Sequence, residues 1–187
     1  MLERVWQFLK NPVYEEDENT DSKYRGNVFV RLLIYALVIN IGLGFVIGLL
    51  EPVFGLDLGT HAIDKALDEY SLPFLFFAAV ILAPVMEEVI FRGPLVFFRD
   101  KPYFKIIFWL LTLFFGFYHI TNFEITNTVL LLSPLLVLPQ IIVGAILGFI
   151  RVRFNLLWAI GLHAAYNLIL MGPILLATAF NIPIPSE

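Results

Sequence analysis

Three formal charges, Glu87, Glu88 and Arg92, stand inside a stretch that is otherwise apolar from Leu72 to Phe98. At about 1.5 Å of rise per residue, a helix over this stretch is long enough to cross the roughly 30 Å hydrocarbon layer of a bilayer. A carboxylate or guanidinium at that depth is costly unless it is paired or faces a wet cavity, so such a group marks a candidate functional site. Any fold available to this chain has to give all three groups partners.

The rest of the chain agrees with a membrane setting. Hydrophobic residues make up 59% of the 187, and the mean hydropathy is +0.84, more than a soluble globule of this size carries. Apolar runs predict an all-α fold, a polytopic transmembrane helix bundle of about five spans at 27–50, 72–98, 105–120, 128–150 and 155–180. Before them, Leu2, Val5, Trp6, Phe8 and Leu9 alternate with Glu3, Arg4 and Lys10, which predicts a short interfacial helix followed by a solvated acidic linker through Glu15–Glu18. Residues 1–26 are too polar for a cleavable signal and are expected to stay as a cytoplasmic tail, with 27–187 as the membrane domain.

Smaller features follow. The loop at 51–71 is rich in acids (Asp57, Asp64, Asp68, Glu69), with a short surface helix over 62–70 and a solvated His61. Gly42, Gly44 and Gly48 suit close helix packing, Pro134 and Pro139 a kink, and Pro173 a late kink or stop. Basic residues precede span one and follow spans two (Arg99, Lys101, Lys105) and four (Arg151, Arg153), which predicts a cytoplasmic N-terminus and an outside C-terminus. With no cysteine, disulfides, thiolate metal sites and cysteine nucleophiles are excluded. The chain has no phosphate-binding glycine loop and no basic patch for nucleic acid; membrane lipid is the expected surrounding.

On a helix, Glu88 and Arg92 at i and i+4 share a face, while Glu87 is turned about 100° away. The first two can satisfy each other as a buried pair, leaving Glu87 to face a cavity. His163 and Asn167 repeat the i, i+4 spacing on span five, and His119 ends span three. Counted from the inferred cytoplasmic ends, Glu87, His119, His163 and Asn167 lie about 12 to 21 Å deep. One carboxylate, two imidazoles and a carboxamide at a common level can polarise water and hydrogen-bond a tetrahedral oxygen. Glu87, His119 and His163 are also candidate ligands for Zn2+ or another divalent metal, with water completing the shell.

In order and spacing, Glu87-Glu88-x-x-x-Arg92, Phe115-Gly116-Phe117-Tyr118-His119 and His163-Ala164-Ala165-Tyr166-Asn167 resemble the EExxxR, FxxxH and HxxxN motifs of the CPBP intramembrane proteases, which include the CAAX prenyl endopeptidases and the bacteriocin-processing or abortive-infection proteins. The resemblance covers 71–171. It implies a helical bundle around a cavity that hydrolyses a peptide bond of a membrane-embedded or membrane-anchored substrate. By motif position, Glu87 with His119 would activate water, His163 with Asn167 would stabilise the oxyanion, and Glu88 with Arg92 would hold the site together, by a metalloprotease or a glutamate-dependent route. Two other classes fit parts of the pattern: a non-catalytic immunity or scaffold protein of the same fold, and a proton-coupled transporter using the buried ionisable groups as a relay.

Overall fold

The computed structural model describes residues 1–56, 58–59 and 61–182. Asp57, and the part of the expected C-terminal tail beyond residue 182, lie outside them. Among the described residues all regular structure is helical. The elements are α1 (Leu2–Lys10), α2 (Ser22–Gly48), α3 (Leu50–Phe54), α4 (Ala62–Glu69), α5 (Leu72–Phe77), α6 (Ala83–Phe91), α7 (Phe104–Tyr118), α8 (Asn127–Leu136), α9 (Leu138–Arg153) and α10 (Leu156–Ala179). A π-turn at Ala78–Leu82 joins α5 to α6, and 3-10 turns follow α6 and α7 at Gly93–Phe98 and His119–Asn122.

Five segments are long and apolar enough to cross a membrane: Ser22–Phe54, Leu72–Phe98, Phe104–Asn122, Asn127–Arg153 and Leu156–Ala179. These are the five expected spans, with ends shifted by a few residues where caps decide the boundary. Asp21 starts α2 by accepting from the Tyr24 N–H at 2.7 Å, Thr126 starts α8 at Val129, and Asn155 starts α10 at Trp158. The fourth span breaks between α8 and α9 at Val137, just before Pro139, whose missing N–H and fixed φ suit the first turn of a new helix. Pro173 neither stops nor shortens α10.

Helix α9 is the centre of the molecule. Every residue from Val143 to Val152 is buried, and α1, α2, α7, α8 and α10 all pack on it. A helix apolar on all sides belongs in an interior. Its closest neighbour is α7, and glycine makes the approach possible: a Cβ on Gly148 would stand 2.6 Å from the Phe108 ring, one on Gly144 2.8 Å from Phe115, and one on Gly116 against Ile141. Close packing was expected of Gly42, Gly44 and Gly48 instead; among the described residues no packing neighbour lies within 4 Å of a Cβ at any of them. The usable signal is the Gly144-x-x-x-Gly148 spacing in α9.

The N-terminal segment is docked rather than loose. Val5 and Phe8 of α1 are buried, and Phe8 packs edge-on against Phe108 and Phe149 at ring distances of 5.2 and 5.3 Å. The linker expected to be solvated follows the C-terminal end of α9. There the Asp17 N–H donates to the Arg153 carbonyl at 2.7 Å, and Arg153 donates to the Glu15 carboxylate at 2.7 Å. The Asp17 carboxylate accepts from Tyr24 at 2.6 Å and from Arg4 at 3.0 Å. Burial pushes the Asp17 carboxyl up, but the hydrogen bonds from Tyr24, the Asn19 N–H and Arg4 outweigh it and hold the group below the usual carboxylate range.

Two outcomes are expected. Gly148→Ala should destabilise the protein by about 1–3 kcal/mol through overpacking, whereas Gly42→Ala should be neutral or stabilise by up to about 1 kcal/mol; thermal unfolding in one detergent compares them. Because the Asp17 pKa is depressed on folding, its contribution is complete above the unfolded value and is lost as pH falls through the folded one. Limited proteolysis within 11–21 should therefore stay slow down to about pH 4 and accelerate below it, and Asp17→Asn should give fast cleavage at neutral pH.

Candidate active site

The stretch carrying the charges is shaped by one proline. Pro84 has no N–H and its ring would strike the carbonyl one turn earlier, so a regular α-helix cannot pass through it unchanged. The chain widens into the π-turn, where the Ala83 N–H bonds to the Ala78 carbonyl five residues back. The next carbonyl, Ala79, would by the same pattern need the N–H of Pro84, which does not exist. Asn167 of α10 supplies the donor instead, its amide nitrogen lying 2.8 Å from the Ala79 oxygen. A sequence-level breaker thus becomes the tie between α10 and the helix that carries Glu87.

Glu88 and Arg92 form the expected i, i+4 pair at 3.1 Å, with side chains 0% and 2% exposed. The pair is more than a local contact. Arg92 Nη2 donates to the Gly144 carbonyl at 3.1 Å, and the guanidinium lies 3.8 Å over the Phe115 ring. Among the described residues Arg92 Nη1 and Glu88 Oε2 make no hydrogen bond, so the approach of Nη1 to Glu88 Oε1 is an ion pair rather than a bidentate contact. Glu88 Oε1 also receives His163 Nδ1 at 3.0 Å. Helices α6, α7, α9 and α10 therefore meet at one buried charge pair.

That contact fixes a tautomer. A proton on His163 Nδ1, donated to the carboxylate, leaves Nε2 with its lone pair in the neutral ring. His119 is set the same way: Nδ1 lies 2.8 Å from the Phe115 carbonyl, an oxygen that can only accept, so Nδ1 carries the proton. Both free Nε2 atoms face one oxygen. Glu87 Oε2 is 3.8 Å from His119 Nε2 and 3.9 Å from His163 Nε2, and it is buried without a hydrogen-bond partner among the described residues. Glu87 and His119 keep a limited opening, their side chains each 17% exposed.

Glu87, Glu88, Arg92, His119 and His163 are thus brought together, and Asn167, one turn along α10, is engaged with Ala79. Two imidazole acceptors thus lie within 3.9 Å of a carboxylate oxygen, with no donor among the three atoms. Such a set suits a species that donates to all three or a Lewis acid that accepts from them. The donor types fit a divalent cation, since a metal-bound imidazole commonly has its other nitrogen fixed by a carboxylate or carbonyl. Glu87, His119 and His163 are the residues that would hold it, although among the described residues no group of three His, Asp or Glu stands at metal-ligand spacing. Elsewhere, His61 does not join the site; it caps α4 at the Ile63 N–H and packs edge-on against Phe123.

Sequence reasoning passed over Phe115 and Gly144 as parts of the site. Phe115 orients His119 through its carbonyl and covers Arg92 with its ring, and its signal was its place in the Phe115-x-x-x-His119 spacing. Removing one member of the buried pair leaves the other charge alone in an apolar bundle. Arg92→Leu should cost about 3–5 kcal/mol and Glu87→Gln less than about 1 kcal/mol, as read by unfolding in mixed detergent micelles.

Comparison with curated proteins and with solved structures finds no match to this chain. Comparison with protein families finds one: the type II CAAX prenyl endopeptidase Rce1-like family, whose model matches residues 69–169. The match runs from the end of α4 through most of α10 and contains all three motifs and every group that surrounds Glu87. Spanning more than half of the chain, it shows that this five-span helical protein belongs to the Rce1-like CAAX endopeptidase (CPBP) family, a membership that suggests an intramembrane protease.

Proposed function

We propose that the protein is an endopeptidase that hydrolyses a peptide bond of a membrane-embedded or membrane-anchored substrate, with Glu87 and His119 activating water and with His163 and Asn167 stabilising the oxyanion. The convergence of Glu87 Oε2 with the two imidazole Nε2 atoms carries this reading. A water held there loses a proton to the carboxylate or imidazole as its oxygen adds to the scissile carbonyl, and the same proton then passes to the leaving amine. The charge developing on the carbonyl oxygen needs donors nearby. Asn167 has a second N–H beside the one given to Ala79, and the His163 Nε2 becomes a donor once it has taken a proton from the attacking water. A divalent metal held by Glu87, His119 and His163 would supply Lewis acidity at the same point. The reading takes peptide hydrolysis from the family and leaves prenyl specificity aside.

The N-terminal segment and the Arg151–Arg153 end of α9 touch, so they lie at one end of the bundle. The basic residues gathered there favour the cytoplasmic side by the positive-inside tendency.

Glu87→Gln and His119→Ala should each lower kcat on a membrane-anchored reporter peptide by about 100- to 10,000-fold while leaving the protein folded. Unchanged turnover in both would remove the assigned roles. Loss of activity on chelation with recovery on added zinc would assign the metal route, and persistence in metal-free protein would assign the glutamate-only route. Because the chain lacks cysteine, single cysteines report topology directly. In intact cells a membrane-impermeant thiol reagent should label Asp68→Cys and should reach Lys101→Cys only after lysis.

A further inference from the structure

Arg151 is a buried cation that the site described above does not use. It is 7% exposed, and among the described residues it forms no ion pair with a carboxylate. Among the described residues its side chain makes three polar contacts: Nε donates to the backbone carbonyl of Arg92 at 3.3 Å, Nη1 donates to the Tyr14 hydroxyl at 3.1 Å, and the guanidinium lies 5.9 Å from the centre of the Tyr14 ring. A charge held away from water and tied only to neutral acceptors is expensive for a bundle that needs nothing more than packing at that point.

The spacing along α9 gives it a purpose. Gly144 and Arg151 are i and i+7, two turns apart on one face. Through them α9 grips both ends of a single residue: the Gly144 carbonyl holds the Arg92 guanidinium, and the Arg151 side chain holds the Arg92 backbone where α6 ends. Arg92 in turn faces Glu88, and Glu88 orients the His163 ring. Tyr14, packed on Phe104, places the N-terminal segment against Arg151.

We propose that Arg151 is a positioning residue for the Arg92–Glu88–His163 brace and that Tyr14 locks it, so that the N-terminal segment is part of the catalytic unit. The role of the brace in hydrolysis rests on the protease reading; the geometric claim does not.

The experiment uses the full chain in lipid nanodiscs with two readouts. The chain has three histidines, so a 15N-histidine sample shows His61, His119 and His163, assigned by single substitutions. At one fixed pH, Arg151→Met should shift the His163 ring nitrogens away from their wild-type pattern while His61 stays in place, and it should lower kcat about 10- to 100-fold with KM little changed. Arg151→Lys should recover part of both effects, and Tyr14→Phe should reproduce them in weaker form. If Arg151→Met does not fold, the Lys and Phe variants carry the test. A wild-type His163 spectrum in all variants that fold would overturn the proposal, whatever the activity. Wild-type protein without peptidase activity, but with the His163 shift present in Arg151→Met, would sink the protease reading and leave the brace standing.

Discussion

A carboxylate and a guanidinium buried among hydrocarbon side chains are tolerable only together, and even together they need help from their surroundings. Glu88 and Arg92 receive it from three directions: a carbonyl on α9, an aromatic face on α7 and an imidazole on α10. Each of these partners constrains its own helix. Gly144 must lack a Cβ because Arg92 Nη2 and the Phe115 ring would lie 2.9 and 2.8 Å from it. His163 must stand one helix face away from Glu88. The pair contributes little net stability compared with a well-packed apolar alternative, and what it supplies is a single way for four helices to meet.

With Glu88 occupied, its neighbour in sequence is released for another task. The 100° between successive helical residues turns Glu87 out of the pair and toward the two imidazoles. Those imidazoles are not free to choose a tautomer, since a carboxylate and a carbonyl decide it for them. Structural groups therefore set the chemistry of the proposed catalytic ones. Pro84 acts one step further back, because the widened turn it imposes changes the register at which Glu87 leaves the helix and creates the carbonyl that Asn167 holds.

The N-terminal segment illustrates how one pattern can serve two surfaces. An amphipathic helix with Leu2, Val5, Trp6, Phe8 and Leu9 on its apolar side fits the headgroup region of a membrane and fits the side of a bundle equally well. Here Val5 and Phe8 are buried in protein while Leu2 and Trp6 stay exposed. The acidic linker likewise found cationic partners in Arg4, Arg25 and Arg153, which are distant or unremarkable in the sequence.

What the sequence determined by itself was local or periodic. Hydropathy placed five spans, because crossing hydrocarbon demands long apolar helices whatever their neighbours. Helical spacing paired Glu88 with Arg92 and set Glu87 apart, because 3.6 residues per turn is a property of the backbone. Three motifs in order pointed to the family. Tertiary structure decided the rest, because it depends on which surfaces touch. The close-packed glycines are Gly116, Gly144 and Gly148 rather than Gly42, Gly44 and Gly48. The Asn167 amide meets a carbonyl that only Pro84 leaves without a helical donor, and Arg151, a simple marker of topology in the sequence, becomes a buried contact of Arg92. A side chain's partner across the bundle depends on helix rotation and register, and those are set by all the packing contacts at once.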